Sequence, residues 1–236
     1  MRLSQPTTPF AGHPTLGTAY IIQREIIKHP VSQLDLQLGV GTIPVTFDAD
    51  GTLWMRQKPV RFGHVFDRSE IATVLGVDSC DVDDRYPVQE ASTGNPHMLV
   101  PMKSLEAVKR AVVDVPRWRQ LLETTRPPLS VKSICIFTTE TEYLENDLHV
   151  RIFGPLRGVT EDPATGSAIG NLAGYLAHYN YFGTAAKMAR KRVEQGYAIN
   201  RPSLLLFSTQ RQSDHIEIDV GGKVRMVAQG QLIDEE

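Results

Sequence analysis

The segment from Gly166 to Tyr179, GSAIGNLAGYLAHY, contains no Asp, Glu, Lys or Arg. It places Ala168, Gly170, Ala173, Gly174 and Ala177 around most of a helix. A helix with no polar face to offer water belongs at the centre of a fold, with a sheet wrapped round it. With 236 residues, 41% of them hydrophobic, the chain can bury one large core or two moderate ones.

The strands such a helix needs are legible on both sides of it. LDLQLGVGTIPVTFDADGTLWMRQ and YPVQEASTGNPHMLVPMKS are short apolar or alternating runs broken by Gly, Pro, Asp and Asn, and DADGTLW carries the Asp-Gly hairpin signal. SVKSICIFTTE, DLHVRIFG, RPSLLLFST, DHIEIDV and KVRMVAQGQL form a second series. Asp214, His215, Glu217 and Asp219 alternate with Ile216, Ile218 and Val220, and Gly221-Gly222 is expected to turn that strand back on itself. A helix is expected from Pro14 to Pro30, with Leu16, Ala19, Tyr20, Ile22 and Ile26 near a 3.6 period. SLEAVKRAVVDVPRWRQLLETTRPP reads as helical to Pro116, with a second short helix after it. The domain boundary is placed there, giving domains 1–117 and 128–236.

The two halves echo each other. Pro9-Phe10-Ala11-Gly12-His13 and Pro163-Ala164-Thr165-Gly166-Ser167 share a P-x-x-G-(His/Ser) pattern, and each opens a helix poor in charge. A helix start has unpaired N–H groups and about half a positive charge, so two such ends facing one cleft would hold a small carboxylate. Gly12 and Gly166 allow close approach to the backbone, while Thr165 and Ser167 add hydroxyls. Asp and Ser are also preferred helix caps, so Asp162, Thr165 and Ser167 read equally well as caps alone.

The longer string GVTEDPATGSA, preceded by HVRIFGP and followed by EQGYAINRPSLL, resembles the signature of the PhzF (phenazine-biosynthesis F-like) isomerase family. PFAGHPTLGTA, EASTGNPHMLVPMKS and KVRMVAQGQL resemble its other recurring segments, so the likeness runs from about Pro9 to Leu232. It implies an α/β (α+β) fold like that of diaminopimelate epimerase: two pseudo-symmetric domains, each a curled mixed sheet around a central helix, with the site in the cleft between them. It also implies cofactor-free isomerisation of a small cyclic amino carboxylate by proton transfer, with no metal or nucleotide, in a homodimer. Carried over by motif, Gly12 and His13 are the first-domain site residues and Asp162, Gly166 and Ser167 the second-domain ones. His13 is expected to donate a hydrogen bond or relay a proton, and Asp162 to accept from a substrate amine or orient the imidazole.

In full-length relatives a strand with a Ser-Glu-Thr-like pattern precedes the GHP motif, and its glutamate is the main acid/base. MRLSQPTT contains no acid. Glu25 is twelve residues from His13, roughly 18 Å along a helix, and Glu161 has a structural role in the family pattern. The resemblance therefore implies either an N-terminally truncated product or a divergent member, and in both cases a chain that binds better than it turns over. The alternatives are a non-catalytic small-molecule-binding or dimerising relative and, more weakly, an epimerase or racemase. The last is disfavoured because neither helix start contains a cysteine.

The remaining features are read plainly. A net charge of −2 disfavours nucleic acid and anionic membranes as partners, and no apolar run reaches the ~20 residues of a membrane span. The N-terminus lacks a signal-peptide pattern, so a cytosolic location is expected. Cys80 and Cys135, outside any CxxC spacing, are expected to be buried small hydrophobes. His149 and Arg151 share a strand face and are expected to pair or lie at the surface. His64, His97, His178 and His215 are read as surface or satisfied core, Thr93–Pro96 as a turn, and Lys187–Arg192 as a solvated helix end.

Overall fold

Eleven strands pair in one continuous ladder in the computed structural model, which describes residues 11–183 and 188–230. The stretch Met1–Phe10, including the acid-free MRLSQPTT and the start of the first motif, lies outside the described residues, as do 184–187 and 231–236. The chain runs α1 (Gly12–Ile21), a π-helical turn (Ile22–Ile27), β1 (Gln33–Leu38), β2 (Gly41–Phe47), β3 (Thr52–Arg56), β4 (Arg61–Phe66), α2 (Arg68–Leu75), β5 (Val88–Ser92) and β6 (His97–Pro101). It continues α3 (Leu105–Arg110), α4 (Val115–Thr125), β7 (Ile134–Thr138), β8 (Leu148–Gly154), β9 (Val159–Asp162), α5 (Gly166–His178), β10 (Met188–Gln195), β11 (Ser203–Arg211) and β12 (Ile216–Lys223). The order across the sheet is β1-β2-β3-β12-β11-β10-β8-β7-β6-β5-β4, with β9 hanging on β8. β6–β7 and β8–β10 are parallel and the other pairs antiparallel, giving the expected mixed α+β architecture.

The sheet passes between the two halves of the sequence twice, at β6–β7 and at β3–β12. At the second crossing Arg56 Nε donates to Asp219 Oδ1 at 2.7 Å, across 163 residues of chain. Residues 118–125 of the proposed boundary segment belong to α4, whose Trp118 packs with Phe66 of the first half.

Strands β5 to β8 are buried on both faces. β6 sends Leu99 to one core and Met98 and Val100 to the other, and β7 divides Cys135 and Phe137 from Ile134 and Ile136 in the same way. This is why those strands read as unbroken apolar runs. One core surrounds α1 and α5; the other lies under α2, α3 and α4. Gly166 to Leu176 of α5 are all buried, against β5, β6, β11 and β12, as the small-residue pattern requires. Burial of Ile169, Leu172 and Leu176 stabilises the fold by roughly 1.5–3 kcal/mol each. Gly174 lets Val60 cross the helix: a Cβ there would lie 2.7 Å from that of Val60.

Several expectations need correction. β12 runs straight through Gly221 and Gly222, and its hairpin partner is β11. Gly221 is small because Trp54 lies on it, its ring 2.6 Å from where a Cβ would be. Met188–Gln195 is a strand, not a helix end: Val193 is buried, while Arg190 pairs with Asp48, Lys191 with Asp147 and Arg192 with Asn146. Pro116 sits in the first turn of α4, where its missing N–H costs nothing, and the break falls at Ala111–Asp114. Helix α1 begins at Gly12, two residues before Pro14. Cys80 is exposed, whereas burial pushes the Cys135 thiol up to about 12. No helix among the described residues is long and apolar enough to cross a membrane.

Candidate active site

Helices α1 and α5 start at one point in space. A Cβ on Gly12 would stand 3.2 Å from Gly166 Cα, and one on Gly166 3.4 Å from Gly12 Cα. Only residues without a Cβ let two helix starts meet so closely. Neither N-cap residue, Ala11 or Thr165, caps with its side chain, and neither first turn holds an acid. The N–H groups of both first turns thus converge with no acid inside either turn and no N-cap side chain bonded to them.

In front of this junction lies a cavity of about 190 Å³. The structure brings all six predicted residues, Gly12, His13, Asp162, Thr165, Gly166 and Ser167, to its wall. An engineered cavity of about 150 Å³ holds benzene, so this one suits a single ring with one or two substituents.

Asp162 is held in place. Its Oδ2 accepts from Thr165 Oγ1 at 2.7 Å. Gln195 at the end of β10 donates to Asp162 O at 2.7 Å and to Thr165 Oγ1 at 3.1 Å, and its Oε1 accepts from Thr165 N at 3.0 Å. The Thr165 hydroxyl is therefore engaged on both sides and acts by fixing the carboxylate. His13 is exposed at the cavity wall on the other helix start.

The neighbouring acid is engaged elsewhere. Glu161 meets Arg151 at 3.2 and 2.8 Å, and Arg151 Nη1 also donates to the carbonyls of Val108, Lys109 and Ala111 at the end of α3. Glu161 does not line the cavity. His149, expected to pair or lie at the surface, is buried and donates from Nδ1 to Glu194 Oε2 at 2.9 Å.

Glu194, with 0% exposure, also accepts from Glu142 N, Tyr143 N and Asn146 Nδ2. Burial pushes its carboxyl up, but the donors from Asn146, Glu142, His149 and Tyr143 outweigh it and hold the group below its ordinary value. A depressed carboxyl contributes stability above its unfolded pKa of about 4.5, and that contribution is lost as pH falls through the folded value. Thermal melts from pH 5 downward should therefore fall less steeply for Glu194→Gln than for the wild type; parallel slopes would refute this.

Sequence reasoning missed one wall of the cavity. Asn95 and His97, Ser133, and Arg157 line it, contributed by the segment entering β6, the residue before β7, and the turn after β8. The TGNP turn holds Thr93 and Asn95 on α5: Asn171 Oδ1 accepts from Thr93 N at 2.7 Å, and its Nδ2 donates to Asn95 O at 2.8 Å. Burial, aided by the positive charge of Arg157, pushes His97 down to about 3, so the ring is neutral. The apolar residues around His97 gave no signal of a site. Among the described residues no group of three or more His, Cys, Asp or Glu side chains could hold a metal ion.

Comparison with known proteins shows the family and the fold. The family model described as phenazine biosynthesis-like protein, PhzC-PhzF, matches residues 6–230. The chain is 29% identical over 216 residues to the uncharacterized isomerase YfhB of Bacillus subtilis, covering 89% of this chain and 71% of that protein. It is 29% identical over 227 residues to the trans-2,3-dihydro-3-hydroxyanthranilate isomerase of Pseudomonas aeruginosa, covering 94% and 74%. A PhzF-family crystal structure from Bacillus anthracis superposes with a TM-score of 0.79 at 26% identity, over 91% of this chain and 73% of that one. A predicted epimerase from Pseudomonas aeruginosa gives 0.73 at 26%, over 96% and 76%.

Proposed function

This chain belongs to the phenazine biosynthesis-like PhzC-PhzF family, and we propose that it is a cofactor-free isomerase acting on a small cyclic amino carboxylate in the 190 Å³ cavity. The observation that carries the reading is the meeting of two uncapped helix starts beside a carboxylate held by Thr165, whose hydroxyl Gln195 fixes in turn. The converging N–H groups take the substrate carboxylate and stabilise negative charge as it grows during proton removal. Asp162 faces the substrate amine or the carbon-bound proton, and His13, across the junction, relays that proton to a second carbon. No oxidation is involved: one C–H bond breaks, another forms, and the double bond moves between them.

Deuterium exchange into trans-2,3-dihydro-3-hydroxyanthranilate, followed by NMR in D₂O, tests this because exchange reports proton removal even without net product. We expect slow exchange by the 236-residue chain, reduced about 100-fold or more in Asp162→Asn. Undiminished exchange in a folded Asp162→Asn would reduce Asp162 to a cap. Binding without exchange in the wild type would favour the second reading, a binding relative without catalysis.

A further inference from the structure

Two buried side chains at the cavity wall each keep a polar atom without a hydrogen-bond partner among the described residues. His97, 2% exposed, has Nδ1 occupied by Asn171 Nδ2 at 2.9 Å and Asn95 O at 3.1 Å, while Nε2 has no protein partner among the described residues. Ser133, 3% exposed, has no side-chain hydrogen bond among them either. Trp118 Nε1 is the one fully enclosed side-chain nitrogen or oxygen among the described residues without a partner. His97 Nε2 and Ser133 Oγ are therefore open to the cavity that both residues line. A buried hydroxyl and imidazole left unbonded cost free energy unless something in the cavity bonds them.

We propose that His97 and Ser133 form a second recognition point, binding the oxygen of a hydroxyl or keto substituent on the ring acid whose carboxylate sits at the Gly12–Gly166 junction. The inference rests on the reading of this cavity as a small-carboxylate site. The Ser133 hydroxyl can donate or accept, and His97 Nε2 does one or the other according to which ring nitrogen holds the proton, so the pair can serve a hydroxyl or a carbonyl. Arg157 stands beside them, its Nη2 donating to Asn95 Oδ1 at 3.0 Å, and its charge favours an electron-rich oxygen. Together these side chains make the pocket selective, because an acid lacking the oxygen leaves both unpaired.

The test is the ratio of two affinities, benzoate against 3-hydroxybenzoate, measured by calorimetry on the wild type, Ser133→Ala and His97→Gln. We expect the hydroxylated acid to bind about tenfold more tightly to the wild type, the size that one or two net hydrogen bonds supply. The ratio should fall below about threefold in each variant. Ser133→Ala removes only an atom with no protein partner, so it carries the test if His97→Gln does not fold. Equal binding of the two acids, or a ratio that survives Ser133→Ala, overturns this inference while leaving the carboxylate site in place. Failure of benzoate and 3-hydroxybenzoate alike to bind the wild type overturns the site reading itself, and this inference with it.

Discussion

Replacing Arg151 with alanine should lower stability by about 3–5 kcal/mol, seen as a fall of roughly 6–20 °C in the thermal midpoint. Arg151 is 8% exposed, and its guanidinium makes five hydrogen bonds: two to Glu161 and three to the carbonyls at the end of α3. Removing it leaves an unpaired carboxylate, itself 5% exposed, and strips a helix end of its donor. Glu161→Gln should cost less, because Arg151 keeps its bonds to α3. In Arg151→Ala/Glu161→Gln the loss should fall below the sum of the single changes, since the stranded charge is gone. A loss under about 1 kcal/mol for Arg151→Ala would sink the argument.

Gly196→Ala should cost about 3 kcal/mol or more, for two separable reasons. The glycine has φ +83°, and an added Cβ would lie 2.8 Å from Pro163 O and closer still to Arg201 O, both backbone atoms that cannot swing away. Gly51, at φ +82° with nothing within 4 Å of its Cβ position, supplies the control. Gly51→Ala carries only the left-handed penalty of about 1–2 kcal/mol. Matched chemical denaturation of the two variants isolates the collision, and equal losses would show that no collision exists. Because Pro163 adjoins Asp162 and Gly196 adjoins Gln195, the damaged turn should also weaken carboxylate binding.

These two residues mark what the sequence could reveal. The small-residue helix, the paired P-x-x-G motifs and the strand series were legible because each rests on local pattern. The structure brings four residues singled out that way, Gly12, Thr165, Gly166 and Ser167, to one cavity, together with His13 and Asp162, which the family resemblance supplied. Glu161 and Gly196 stand inside the recognisable strings, yet their work is support: one holds Arg151, the other admits two carbonyls. Gly221-Gly222 looked like a turn because close approach and turning call for the same residue, and only the position of Trp54 separates them. β10 was hidden by its basic residues, whose partners Asp48, Asp147 and Asn146 come from distant segments. Ser133 and His97 were invisible for the same reason: nothing in one dimension brings residues 133 and 97 to face residue 12.

The place of β12 between β11 and β3 sets an order on synthesis. Arg56 leaves the ribosome 163 residues before its partner Asp219. At ~5–20 residues per second that is a wait of roughly 8–33 s. Throughout that interval β3 presents an unpaired edge, the kind of surface that recruits strands from other chains. The nascent first half is thus the aggregation-prone species of this protein, and the strand that ends its exposure is the last of the twelve described strands to be made.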